Sequence, residues 1–549
     1  MQDLTFSSAD ELVNGRRRMI SAQALTIAAF ALVMCLQINL AWGKPINWDE
    51  FHHFSLIRAH QRGENVDLFQ TPFVHLYGWV NSLPGTTIDH IATIRSLIVP
   101  FELLLVGATV ICARKFTDRQ TALLCGLAYV TAGYAFTQGL ALRADIIAAS
   151  LVMTALAIAL HRRLTPLSIA IIVLLAGLAF VSTIKTVLYL PAFLAVAYVR
   201  REDVVRWAIP GALAGLSLAV VFLLLSPEFV GELQGKLGGS AQRMFGAGLV
   251  PQGRYLFAQI TAAPFFTLLL LATVFLLLRG DGWNGSRLVL ALFAAPALWP
   301  LVYLNAYPYF FAFILPPVAV ALVPAVRLAL RRYGVIALIA CFSLNALALW
   351  AMQPRAQLDV QRQVQSDVRA LFPEPVVYID ESGMLGDFPR AVPHFASGWA
   401  LANYRAQGVL SYSERMLSDP VPLLIVNSFA LQDVFGPILP DDERLLPADA
   451  ALIRENYVQQ CGMIFVAGKR LPPRTVMSDE LVAVPGAYRV EGGSVRINGQ
   501  SYEDGSTVQL QRGRYALINL SARPVGLRWA TASVLDCQPV TLGELYAGY

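Results

Sequence analysis

Residues 19–42 read MISAQALTIAAFALVMCLQINLAW, without one charged side chain, after Arg16-Arg17-Arg18 and before Gly43-Lys44-Pro45-Ile46-Asn47-Trp48-Asp49-Glu50-Phe51-His52-His53. As a helix this stretch is long enough to cross ~30 Å of hydrocarbon. The residues after Trp42 offer no small-x-small cleavage site, so the segment reads as an uncleaved signal anchor. The whole chain agrees with a membrane reading. Of its 549 residues 56% are hydrophobic and 14% charged, and the mean hydropathy is +0.54. No water-soluble class has that composition.

Ten further apolar stretches follow: 91–113, 121–140, 146–160, 164–184, 186–199, 207–227, 255–278, 288–305, 309–326 and 333–352. The run from 288 to 326 is too long for one crossing, and Asn305-Ala306-Tyr307-Pro308 supplies the turn that divides it. The expectation is a polytopic α-helical bundle of about eleven transmembrane helices. Lys and Arg groups at 16–18, 114–119, 162–163, 200–206, 279–287 and 327–332 fall on alternate loops. By the positive-inside bias those loops are cytoplasmic. The loops 43–90 and 228–254, and the tail after an odd number of spans, then lie outside the cytoplasm.

The expected organisation is a transmembrane part at 1–353, a soluble α/β part at 354–485 and a small β-rich module at 486–549. In the second, Val376-Val377-Tyr378-Ile379, Leu423-Leu424-Ile425-Val426 and Met463-Ile464-Phe465-Val466 read as strands, and 359–371 as a helix. In the third, turn signals at Glu491-Gly492-Gly493, Asn498-Gly499 and Glu503-Asp504-Gly505 separate short alternating strands, the pattern of a sandwich or meander. Net charge is +5 and the basic residues sit in short loops, which argues against a nucleic-acid partner. Six cysteines are too scattered for a disulfide scaffold; Cys461 and Cys537 alone suit a pair.

Chemistry concentrates just outside the first span. Asp49, Glu50, His52 and His53 group two carboxylates and two imidazoles, with the i, i+4 pair Asp49 and His53 on one helix face. The plain alternative is that Asp49 merely caps a helix over 50–61. Arg58, Asp67, Thr71-Pro72 and His75-Leu76-Tyr77 follow on an amphipathic stretch. At the outer ends of other spans stand Arg143 with Asp145, Lys185, and Arg254. Charges there must snorkel, pair or line a wet cavity. Lys185 reads as a site cation or a snorkelling anchor, and Arg143 with Asp145 as an ion pair. Glu50, His52, His53 and His75 include acceptable metal ligands, so a divalent ion is allowed but not demanded.

The order of features resembles the GT-C class of integral-membrane glycosyltransferases, notably the branch with lipid A aminoarabinose transferases and protein O-mannosyltransferases. The resembling elements are Asp49-Glu50 with the loop to Thr71-Pro72 and Tyr77, Leu142-Arg143-Ala144-Asp145, and Gly177-Leu178-Ala179 through Lys185 to Leu190-Pro191. Tyr309-Phe310-Phe311-Ala312-Phe313-Ile314-Leu315-Pro316 completes them; together they cover roughly 43–317. The resemblance implies transfer of a sugar, with inversion, from a polyprenyl-phosphate donor to an acceptor hydroxyl of a cell-envelope glycan, lipopolysaccharide or protein. It places the enzyme in a bacterial cytoplasmic membrane with its site on the periplasmic face. It makes Asp49 the base. Lys185 and Arg254, then Arg58 and Arg143, are expected on the donor phosphate, and Glu50, His52, His53 and His75 around acceptor, sugar or metal. A flippase for a lipid-linked glycan is the alternative; the internal repeat and the charges near the bilayer midplane usual in transporters are not expected from this sequence.

Overall fold

The protein is described from a computed structural model, for residues 6–64, 66, 71, 73–225, 244–246, 248–279, 284–392, 398–436, 438–533, 540–541 and 545–546. The first helix runs Phe6–Gly43, and Trp48–Gln61 forms a loop helix. Further long helices are Thr87–Arg114, Ala144–His161, Arg201–Leu225 and Val323–Ala351. By length and composition four stretches are able to cross a membrane: Ser21–Gly43, Thr87–Arg114, Ala144–His161 and Val323–Leu371. Four more of the expected crossings take the form of shorter apolar helices, Pro166–Ser182, Ile184–Val199, Gly285–Leu301 and Pro308–Ala321.

Two expected crossings are broken, each for a local reason. The stretch 121–140 divides into Arg119–Val130 and Tyr134–Gln138 at Gly133, whose φ of 52° lies outside helical space. The stretch 255–278 becomes Gly253–Ala262 and Pro264–Leu278, bent by 98°; Pro264 has no N–H to continue the ladder. At Gly334, φ 79° and ψ 168° interrupt Val323–Ala351, a conformation that glycine alone adopts cheaply. The expected loop 228–254 lies mostly outside the described residues.

Beyond Ala351 the described residues form the helices Ala356–Leu371, Gly398–Gln407, Ser411–Ser418, Phe429–Asp433 and Pro447–Asn456 and eleven strands: β1 (Tyr378–Ile379), β2 (Leu423–Ile425), β3 (Tyr457–Cys461), β4 (Ile464–Leu471), β5 (Thr475–Val482), β6 (Gly486–Glu491), β7 (Val495–Ile497), β8 (Gln500–Tyr502), β9 (Thr507–Leu510), β10 (Gly513–Asn519) and β11 (Val525–Trp529). One sheet has the order β1-β2-β4-β11-β6-β9, with β3 also on β4; a second is β5-β10-β7-β8. β1 and β2 are parallel, as a crossover through intervening helices requires, and the other pairs are antiparallel. Asn498 and Gly499, both at positive φ, turn β7 into β8, the geometry of a two-residue hairpin.

β4 joins two regions: Leu423–Ile425 pairs with its first half and Val525–Arg528 with its second. Inward residues of both sheets, including Leu471, Val482, Val490, Leu517 and Leu527, share one core. A separate core gathers Ile379, Tyr412, Leu424, Ile453 and Phe465. Cys461 is disulfide-bonded; Cys537 lies outside the described residues.

Candidate functional site

The loop helix is fixed at its first turn by Asn47, not Asp49. The Asn47 side chain accepts from the Asp49 N–H at 2.9 Å, and the Asn47 N–H donates to Glu50 at 3.2 Å, a reciprocal capping box. The plain alternative, in which Asp49 merely caps this helix, is therefore set aside. Its carboxylate is left for other partners.

Asp49 and Glu50 then diverge, because successive helical residues point about 100° apart. Glu50 turns into the bundle. Arg95 grips it with Nε at 2.8 Å and Nη2 at 2.5 Å, and the Leu142 N–H donates to it at 2.8 Å. The remaining guanidinium hydrogens go to the carbonyls of Ala41, Lys44 and Pro45. The Arg95 guanidinium and these hydrogen bonds hold the Glu50 carboxyl below its usual range despite burial. Glu50, expected near acceptor, sugar or metal, is thus committed to tying three segments together.

Asp49 faces the other way, onto Arg143, which forms an ion pair with it. Arg143 Nε also donates to Asp145 at 2.9 Å, and Lys185 Nζ donates to the second Asp145 oxygen at 2.5 Å. The result is an alternating chain, Asp49, Arg143, Asp145, Lys185, in which Asp49, Arg143 and Lys185 keep a little exposure and Asp145 is buried between the two cations. Lys185 is paired rather than snorkelling. Tyr309, one residue into the Pro308–Ala321 helix, lies under both cations, its ring centroid 3.3 Å from the Arg143 carbon Cζ and 4.7 Å from Lys185 Nζ. These residues open Ala144–His161, the short turn Ile184–Tyr189 and Pro308–Ala321. They meet at one end of the bundle.

His53 Nε2 stands 3.7 Å from Asp49, and its ring meets Phe73 edge-on at 4.9 Å. Burial pulls the His53 imidazole down to about 4, and burial, with the neighbouring His53 and then Arg390, pulls His52 well below its usual value. His75 meets His60 edge-on, with ring centroids 4.7 Å apart. Among the described residues no group of three or more His, Cys, Asp or Glu is placed to hold a metal ion; Asp67 lies outside them.

The two remaining expected cations are placed differently. Arg254 lies over the Tyr255 ring at 4.4 Å, and rings continue through Tyr307 to Tyr309. It thus reaches the cluster through an aromatic chain rather than by an ion pair. Arg58 donates to the Gly386 carbonyl at 3.0 Å, which engages it with the tail and not with Asp49.

Three participants escape a reading by residue type. Arg95 lies in an apolar run and its partner is 45 residues away. Tyr309 is one aromatic among many. Glu102, mid-way along Thr87–Arg114, is 0% exposed and among the described residues has no hydrogen-bond partner on either oxygen. An acid inside an apolar run was the available signal.

No family model and no curated protein matches this sequence. Solved structures do. ArnT from Cupriavidus metallidurans, bound to undecaprenyl phosphate, superposes with a TM-score of 0.52 at 13% identity, covering 76% of this chain and 96% of ArnT. The apo oligosaccharyltransferase of Archaeoglobus fulgidus gives 0.51 at 11% identity, covering 94% of this chain and 97% of the other. The helical bundle with its appended sheets thus has the fold of the GT-C glycosyltransferases.

Proposed function

We propose that this chain is an inverting, lipid-phosphate-sugar-dependent glycosyltransferase. It takes a sugar from a polyprenyl-phosphate donor to an acceptor hydroxyl at the extracytoplasmic face of a bacterial cytoplasmic membrane, in a bundle of about eleven crossings. The observation that carries this reading is the ionic chain from Asp49 to Lys185 at one end of an apolar bundle. The likeness in fold to a protein bound to undecaprenyl phosphate supports it.

A polyprenyl phosphate keeps its tail in lipid and its head at the boundary, where such a cluster belongs. In the proposed reaction Asp49 takes the acceptor hydroxyl proton as that oxygen bonds to the anomeric carbon. The bond from that carbon to the phosphate oxygen breaks, and the phosphate leaves with the electron pair. Lys185, with Arg254 beyond the aromatic chain, stabilises the charge that grows on it. Arg143 holds Asp49 and Asp145 in register. Cell-envelope glycan, lipopolysaccharide and protein hydroxyls are the acceptor classes considered.

Proteoliposomes carrying the purified protein, a polyprenyl-phosphate sugar and envelope extract test the reading. A new glycosidic bond, seen by mass analysis, is the expected result. Translocation of the lipid-linked sugar without a new bond would overturn it in favour of a flippase.

A further inference from the structure

Buried glutamines on a soluble helix need an explanation, because an amide removed from water costs free energy unless its hydrogen bonds are replaced. Ala356–Leu371 carries two, Gln361 and Gln365, one turn apart on one face and both essentially unexposed. Gln361 makes a two-way bond with the backbone of Ile46: the Ile46 N–H donates to Oε1 at 2.8 Å, and Nε2 donates to the Ile46 carbonyl at 2.7 Å. Nε2 also donates to the Leu545 carbonyl at 2.8 Å. The clamp thus grips the residue before the Asn47 cap, three residues from Asp49.

Gln365 acts on the same helix by another route. Its Nε2 donates to the Met384 carbonyl at 2.8 Å, inside a loop over residues 380–390. Within that loop Asp380 accepts from the N–H groups of Gly383 and Met384 and pairs with Arg390 at 3.1 Å. Its neighbour Gly386 donates to Thr87 Oγ1 at 2.9 Å and accepts from Arg58. A Cβ on Gly383 would sit 2.5 Å from Ser55, and one on Gly386 2.6 Å from Phe54. The loop backbone therefore lies directly against the loop helix, where no larger side chain fits.

We infer that Gln361 is a positioning residue for Asp49: the exported tail sets the placement of the base by clamping Ile46, while the 380–390 loop braces the helix further along. This rests on the transferase reading above. Asp49 reaches its partners from a helix only 14 residues long that is tied to the bundle through Glu50 and to the tail through Ile46. Releasing one tie lets the carboxylate move relative to Lys185, and a displacement of about 1 Å can cost about 100-fold in rate.

The test compares full-length wild type with Gln361→Leu, Gln361→Glu, Gln365→Leu and the surface control Gln363→Leu. Amide exchange over residues 44–52 and steady-state transfer are both measured, with rates normalised to folded protein. Gln361→Leu is expected to raise exchange there about ten-fold and to lower kcat about 100-fold, with the donor KM changed less than about two-fold. Gln361→Glu keeps an acceptor for the Ile46 N–H but sets a buried carboxylate oxygen against the Ile46 and Leu545 carbonyls, and should lose at least as much as Gln361→Leu. Gln365→Leu should show a smaller loss of the same kind, and serves if Gln361→Leu does not fold. Unchanged exchange, or kcat per folded molecule equal to wild type, would overturn the inference. If wild type transfers no sugar the transferase reading fails by itself; raised exchange over 44–52 would then uphold the clamp and unchanged exchange would refute it.

Discussion

Asp49 and Glu50 are adjacent carboxylates on one helix with opposite surroundings. Glu50 is sealed, with Arg95 and a backbone N–H on its oxygens. Asp49 heads a chain of alternating charges that stays partly open and ends on an aromatic face. The difference shows how a single helical step separates a residue that ties the bundle together from one left partly exposed beside cations. Saturated hydrogen bonding marks the first; incomplete burial beside cations marks the second.

Removing one side of the sealed pair should have the largest effect. Arg95→Leu leaves the Glu50 carboxylate buried without its cation, a loss of about 3–5 kcal/mol, so the variant should accumulate poorly and melt well below wild type. Normal accumulation and melting would mean that the pair is dispensable and the contrast with Asp49 false. On the open side, Lys185→Ala should fold, keep the lipid-linked donor at the membrane, and lose about 10²- to 10³-fold in transfer. Lys185→Arg should recover part of that.

Acid should act on the imidazoles beside Asp49. His53 is pulled down to about 4 and His52 is also lowered, so the folded chain binds fewer protons than the unfolded one below their ordinary value of 6.5. Stability from these groups is full above about pH 6.5 and is lost as the pH falls towards 4. A melting series over that range should slope downward with acid, and less so in His53→Phe; equal slopes would contradict the burial argument. The smallest effect belongs to Arg58→Ala, which removes one hydrogen bond to Gly386 and should cost about 1–2 kcal/mol, with a transfer rate close to wild type. A large drop in rate with unchanged melting would return Arg58 to the donor phosphate.

What could be read from residues alone was local. The apolar runs, the Arg143 and Asp145 pair, the Asp49 to His53 spacing and the Asn498-Gly499 turn all depend on neighbours within a few residues. What was not legible depends on distance along the chain. Arg95 finds Glu50, Tyr309 carries Arg143 and Lys185, and Gln361 reaches Ile46 across 315 positions. The Asn47 cap was within reach but hidden, since Asn47 and Asp49 are both good caps and only the direction of the chain at Ile46 decides between them. The break at Ala263 was readable in Pro264, and an apolar window conceals it.

Transfer by the proposed route requires Asp49 as the base. The direct measurement is single-turnover transfer from a polyprenyl-phosphate sugar by purified Asp49→Asn, beside wild type at equal folded concentration. The expected result is normal melting and donor binding with a rate lower by about 10²- to 10⁴-fold. A rate equal to wild type would contradict it.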